Sequence, residues 1–261
     1  MRTVPAKNGW FWLLKGFALF RKNPLMWMFL VFTYWIAVTL LGQIRYAGPV
    51  ASTVLLPAFS VSFMVMCAVL DRGGMLRPVL LVSGFRQQPA TLLALGAVYL
   101  LVIVAVLGIS ALADSGALLK WVLSGEEPTA EALGSVPRAL LLAALASAPV
   151  LMAFWFAPVL AAWDRMGAAQ SLFYSFFSVW RNWRAFFVYG TVLTLAVAGF
   201  FMIVTLAAIV LRGQIQALRF VALMFLLAML PTLFASFYAS YRDIFPDKPG
   251  PADPSAPQPS P

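Results

Sequence analysis

The sequence predicts an all-α integral membrane protein with six transmembrane helices, and three observations carry that prediction. Of 261 residues, 62% are hydrophobic and only 10% charged, with a mean hydropathy of +0.90, whereas an ordinary soluble domain is ~25% charged. Six separate apolar runs of about 20 residues or more recur along the chain, the length needed to cross ~30 Å of hydrocarbon. The basic residues, finally, are distributed unevenly among the segments that connect those runs.

In chain order the predicted spans are 25–44, 48–70, 90–112, 139–163, 186–211 and 217–241. None holds a charge in its middle; Arg219 lies close enough to the start of the sixth for its head to reach the interface. The first run begins at Leu25 and is too long for the apolar region of a cleavable signal, so the first helix is expected to act as the targeting signal itself. With the N-terminus inside, thirteen of the eighteen basic residues fall in inside segments and five outside. Both termini are therefore expected on the cytoplasmic side of a bacterial inner membrane. Residues 1–245 form the transmembrane domain on this reading, and 246–261, with seven prolines, form a disordered cytoplasmic tail.

Composition also excludes chemistry. With no histidine, the chain has no Ser-His-Asp or Cys-His site, histidine metal centre or imidazole relay. The single cysteine, Cys67, sits in an apolar stretch and reads as a small packed hydrophobe. No catalytic, cofactor-binding or metal-ligating residue is expected, and the net charge of +9 reports topology rather than nucleic-acid binding.

The spans fall into three units of two, each opened by an aromatic stretch and an Arg-polar corner: Phe20-Arg21-Lys22-Asn23-Pro24, Phe85-Arg86-Gln87-Gln88-Pro89 and Trp180-Arg181-Asn182-Trp183-Arg184. Each even-numbered span carries an internal proline (Pro57, Pro149 and Pro231) and ends in a charge pair. The pairs are Asp71-Arg72, Asp164-Arg165 and Arg242-Asp243. Three like-oriented units imply a pseudosymmetry axis along the membrane normal. Each unit is expected to begin with an amphipathic helix at the interface. In 167–183, Leu172, Phe173, Phe176, Phe177, Val179, Trp180 and Trp183 fall on one side, and Gln170, Ser171, Tyr174, Ser175, Ser178, Arg181 and Asn182 on the other. In 9–22, Trp12, Leu13, Phe17, Leu19 and Phe20 oppose Lys15 and Lys22; the middle copy, 75–86, is interrupted by Pro78 and Gly84.

The candidate site is a ring of charge at the inner mouth of the bundle, made by Arg21, Arg86, Arg181, Asp71, Arg72, Asp164, Arg165, Arg242 and Asp243. It would bind lipid phosphates or act as a gate. Arginines that snorkel and aspartates that stop helices produce the same pattern. Pro57, Pro149, Pro158 and Pro231 are either packing kinks or the broken-helix points of a transporter, with Ser60, Ser62, Ser147, Ser236 and Ser240 as either helix contacts or a hydroxyl-lined path. Glu126, Glu127 and Glu131 lie in the longest outside loop, 113–137, and read as a solvated surface.

Taken together, Gly9-Trp10, Trp12-Leu13, Leu19 to Leu25, Leu70-Asp71-Arg72-Gly73, Ser83-Gly84-Phe85-Arg86 and Ser175 to Phe186 resemble the motifs of an uncharacterised family of proteobacterial, chiefly beta-proteobacterial, inner-membrane proteins. The resemblance spans roughly residues 8 to 243 and implies compartment and fold; it brings no activity and no site residues. The expectation is a non-enzymatic membrane protein that binds anionic lipid, or a membrane partner, through its basic cytoplasmic face. The alternative is a transporter or channel for a small or lipid-like solute, whose central cavity would contain Ser60, Ser62 or Ser236.

Overall fold

The computed structural model of the chain describes residues 1–45, 47–114, 116–117, 120, 134–210 and 215–246. Glu126, Glu127 and Glu131, and the tail beyond Pro246, lie outside the described residues. The fold is all-helical: α1 Asn8–Lys22, α2 Pro24–Gly42, α3 Ala47–Asp71, a 3₁₀ helix Pro78–Arg86, α4 Pro89–Asp114, α5 Val136–Phe154, α6 Ala157–Trp163, α7 Ala168–Arg181, α8 Trp183–Val210 and α9 Ile215–Ile244.

Six stretches are long and apolar enough to cross a membrane: Pro24–Gly42, Ala47–Asp71, Pro89–Leu112, Val136–Trp163, Trp183–Val210 and Gln216–Ile244. Each lies within a few residues of its expected position, because uninterrupted apolarity over this length has few other outcomes. The second span is the axis of the bundle: 67% of its apolar window is buried within the protein, against at most 17% for the others. Every residue from Val61 to Leu70 is buried, and Phe63 stacks on Phe234 of α9 with ring centroids 4.0 Å apart.

Several of the charged corners also punctuate helices. At the first corner α1 stops on Arg21 and Lys22, which suit the negative end of its dipole, and Asn23 accepts from the Met26 N–H to start α2, with Pro24 in its first turn. At the end of α3, Gly73 has φ +81°, and the Gly73 and Gly74 N–H groups donate to Leu70 and Val69 carbonyls. That is a Schellman stop, in which Asp71 and Arg72 are the last residues before the left-handed position. Arg165 takes a left-handed φ of +53° just after α6, where a side chain must tolerate what Gly73 tolerates freely.

The fourth span is interrupted. It runs as α5 to Phe154 and resumes as α6 at Ala157, with Pro158 in the first turn of the new segment. Continuous helix would join the Phe156 N–H to the Met152 carbonyl, but the Ser175 hydroxyl of α7 stands between them. The Phe156 N–H donates to Ser175 Oγ (2.8 Å), and Oγ donates to the Met152 carbonyl (2.9 Å). A break inside hydrocarbon is tolerable only when the freed backbone groups find such partners.

The short helices between the spans pack on particular spans: α1 on α9 and α8, the 3₁₀ helix on α3, and α7 on α5 and α6. Two glycines make the first two contacts possible. A Cβ at Gly84 would stand 2.0 Å from the Ala58 carbonyl oxygen, and one at Gly16 would stand 2.6 Å from the Thr232 carbonyl oxygen. Ala58 and Thr232 each follow the internal proline of their span, Pro57 and Pro231.

For α7 the expected polar side divides between protein and the exterior. Ser171, Ser175, Ser178 and Asn182 are buried against protein together with Val179, whereas Gln170, Tyr174 and Arg181 are exposed along with Phe173, Phe177 and Trp180. In α1, Trp12, Leu19 and Phe20 are buried and Trp10, Phe11, Leu14 and Phe17 are exposed, so part of the apolar face expected among headgroups belongs to the core. The buried stripe of α7 is fixed by hydrogen bonds: Ser175 bonds the backbone of the fourth span, and Ser178 and Asn182 bond Met1, Arg2 and Val4 of the leading segment. The middle copy, broken by Pro78, winds as the 3₁₀ helix.

Candidate functional site

One cavity of about 500 Å³ gathers charge at the end of the bundle where α1, α3 and α9 terminate. Lys15 and Lys22 of α1, Arg242 of α9 and Arg2 of the leading segment supply four cations, and Asp71 and Asp243 supply two carboxylates. Ala18, Leu19, Tyr238 and Ala239 complete most of the wall.

Local structure sets each group. Lys15 and Lys22 are seven residues apart, two helical turns, so both fall on the same side of α1. The packing of α1 against α9 brings them beside Tyr238 and Arg242. Lys22 Nζ donates to the Leu70 carbonyl at 2.9 Å, tying the end of α1 to the end of α3. Tyr238 donates its hydroxyl to Asp71 Oδ2 at 3.0 Å, holding that carboxylate from α9.

Asp243 is a structural anchor. Its Oδ2 accepts from Asn8 Nδ2 (2.6 Å) and Trp12 Nε1 (2.9 Å), and Arg2 pairs with its Oδ1 while donating from Nε to its backbone carbonyl (2.6 Å). The leading residues are threaded into the same corner: the Arg2 N–H donates to the Ile244 carbonyl and the Val4 N–H to Asn182 Oδ1. Asp243 thus fixes Arg2 at the cavity wall.

Of the nine residues expected in a charge ring, this cavity brings together Asp71, Arg242 and Asp243. The other six do not line it. Arg21 ends α1 exposed, with its guanidinium 5.8 Å from the Phe17 ring centroid. Arg86 and Arg181 sit exposed in the last turns of the 3₁₀ helix and α7, and Arg72, Asp164 and Arg165 belong to helix stops. Sequence reading missed Arg2, Lys15, Lys22 and Tyr238 as lining groups. The pairing of Lys15 with Lys22 on one helical face was the available signal, whereas Arg2 meets its partner 241 residues away.

Two further cavities lie among the spans. One, of about 190 Å³, is lined by Ser60, Pro57, Pro158 and Trp155, and the Trp155 indole N–H has no acceptor among the described residues. The other, of about 320 Å³, is apolar apart from Ser147 and Tyr99, and shares Tyr99 and Leu151 with the first. Ser62 and Ser236 are fully buried and bonded: Ser62 accepts from the Gly84 N–H, and Ser236 shares a 2.8 Å hydrogen bond with Tyr189. Cys67 is buried, and no group of three or more His, Cys, Asp or Glu residues that could hold a metal ion occurs among the described residues.

Fold and site together define a multi-pass α-helical membrane protein with a cationic cavity at one end of its bundle. The chain is 37% identical, over 98% of its own length and 96% of the other's, to a protein of Burkholderia thailandensis named as a probable inner membrane protein. It belongs to that family of inner-membrane proteins, whose function is uncharacterised. No family model and no solved structure matches it.

Proposed function

We propose that the protein is a non-enzymatic inner-membrane protein that binds anionic lipid at the cavity lined by Lys15, Lys22 and Arg242. The single observation behind this reading is the excess of cations in that cavity, four against two carboxylates, beside apolar wall from Ala18, Leu19 and Ala239. A phosphate headgroup with acyl chains attached needs that combination. The positive-inside distribution supports a cytoplasmic position for this end and for both termini, where anionic headgroups draw basic side chains.

The architecture around it reads as three two-helix units with a short surface helix each. Supporting this is the cyclic order of contacts, in which each short helix packs on the even-numbered span of the unit before it, α1 closing on the last. The exposed aromatics of α7 and α1 are placed to enter lipid while their small and polar residues hold the bundle.

The test is native mass spectrometry of the full chain released gently from its membrane. Lys15→Gln with Lys22→Gln is expected to lose most of the retained anionic phospholipid. Arg21→Gln, Arg86→Gln and Arg181→Gln together are expected to lose less. Unchanged retention in both variants would end the proposal.

A second reading, transport of a small or lipid-like solute, is favoured by the cavity beside Ser60 at the broken fourth span, with its unpartnered Trp155 N–H. Solute flux into proteoliposomes that is abolished by Ser60→Leu would favour it over lipid binding alone.

A further inference from the structure

The cavity at the ends of α1, α3 and α9 contains an element that a simple anion site would avoid. Asp71 stands on its wall, among the cations, at the C-terminal end of α3. A carboxylate there is disfavoured by the helix dipole and would repel a phosphate. Among the described residues it accepts a hydrogen bond from the neutral Tyr238 hydroxyl, to Oδ2. An ionised carboxylate has about four lone-pair sites, and Tyr238 uses one.

Size points the same way. About 500 Å³ falls within the ~300–1,000 Å³ of sites that enclose small molecules, and a phosphodiester by itself leaves most of it empty. A headgroup that continues past its phosphate and carries hydrogen-bond donors turns Asp71 from a repulsive neighbour into an acceptor. The net positive lining favours an occupant that stays anionic overall, which a hydroxyl-bearing extension does and an ammonium-bearing one does not.

We propose that the cavity reads both parts of a glycerol-type phospholipid headgroup: Lys15, Lys22 and Arg242 take the phosphodiester, and Asp71, held by Tyr238, accepts from the hydroxyls beyond it. This rests on the anionic-lipid reading above and adds selectivity to it. A headgroup of equal charge without hydroxyls binds more weakly, and a phosphomonoester, with its extra negative charge facing Asp71, more weakly still.

The experiment is native mass spectrometry of the full chain offered equal amounts of phosphatidylglycerol and phosphatidylmethanol with identical acyl chains. The wild type is expected to retain phosphatidylglycerol by about tenfold over phosphatidylmethanol, the discrimination of one charge-assisted hydrogen bond. Asp71→Asn and Tyr238→Phe are each expected to bring that ratio below about threefold while both lipids still bind. Lys15→Gln with Lys22→Gln is expected to weaken both lipids alike.

If the wild type retains both lipids equally, or if Asp71→Asn leaves the ratio unchanged, the selectivity is overturned and the anionic-lipid reading stands. If it retains neither, that reading itself fails. Preference for phosphatidylethanolamine in the same competition would overturn the choice of a hydroxyl headgroup. Full displacement of lipid by soluble glycerol 3-phosphate would assign the cavity to a water-borne phosphate ester instead. A circular dichroism melt of each variant, expected within a few degrees of wild type, separates loss of selectivity from loss of fold.

Discussion

Replacing Ser175 with alanine removes one hydroxyl and uncouples two backbone groups. In the native fold Oγ accepts from the Phe156 N–H and donates to the Met152 carbonyl, standing where a continuous helix would have its own hydrogen bond. Without it, a buried N–H loses its acceptor, which costs ~1–3 kcal/mol, and a carbonyl loses one donor, a smaller loss. Hydrogen bonds between helices in membranes average ~0.6 kcal/mol, which sets the floor. The expected destabilisation is about 1–4 kcal/mol by the same reckoning.

Ser171 is the internal control, because it is equally buried in α7 but donates only to Ala168 of its own helix. Ser171→Ala should therefore lose under about 1 kcal/mol. The assay is reversible unfolding in mixed micelles followed by tryptophan fluorescence, with both variants measured against wild type. If Ser175→Ala is no less stable than Ser171→Ala, the hydroxyl does not hold the break in the fourth span and the reasoning fails.

Three other outcomes are expected. Gly84→Ala would force a Cβ to within 2.0 Å of the Ala58 carbonyl oxygen, so the 3₁₀ helix must lift from α3; a loss of ~3 kcal/mol or more is expected in the same unfolding assay, against ~1 kcal/mol or less for Gly190→Ala, which meets nothing. Asp243→Ala removes the common partner of Arg2, Asn8 and Trp12; amide exchange at Arg2 and Val4 should rise by about tenfold or more as the leading segment opens. Because Cys67 is buried, single cysteines introduced at the exposed positions Lys7 and Arg138 can be labelled cleanly with a membrane-impermeant maleimide. Lys7→Cys should react only after the membrane is opened and Arg138→Cys in intact spheroplasts, and the opposite pattern would invert the topology.

The spans were legible because their signal is local: about 20 apolar residues in a row admit little but a membrane helix. The periodicity of 9–22 and 167–183 was legible too, but periodicity separates two faces without saying which one meets protein. In water the apolar face goes inward; beside lipid the serines of α7 gain more by turning to the bundle, and Phe173, Phe177 and Trp180 lose nothing by facing outward. The cavity was the least legible part. Lys15, Asp71 and Arg242 are scattered across the chain, and only the seating of α1 on α9 makes them neighbours. The charge pairs drew attention because they repeat, yet a residue that ends a helix repeats for the same reason as one that binds a ligand.

The seating of α1 on α9 has a bearing on biogenesis. The groove that receives Gly16 and the carboxylate that receives Trp12 are made by residues near 232–243, which leave the ribosome more than 200 residues after α1 itself. Until then α1 can lean mainly on α8, where Phe186 and Tyr189 meet the Trp12 ring, and its Gly16 face has no seat. Completed docking of the first helix therefore depends on insertion of the sixth span. A chain that stalls or is truncated before Thr232 displays that helix, and with it a loose leading segment, to any protease surveying the same face.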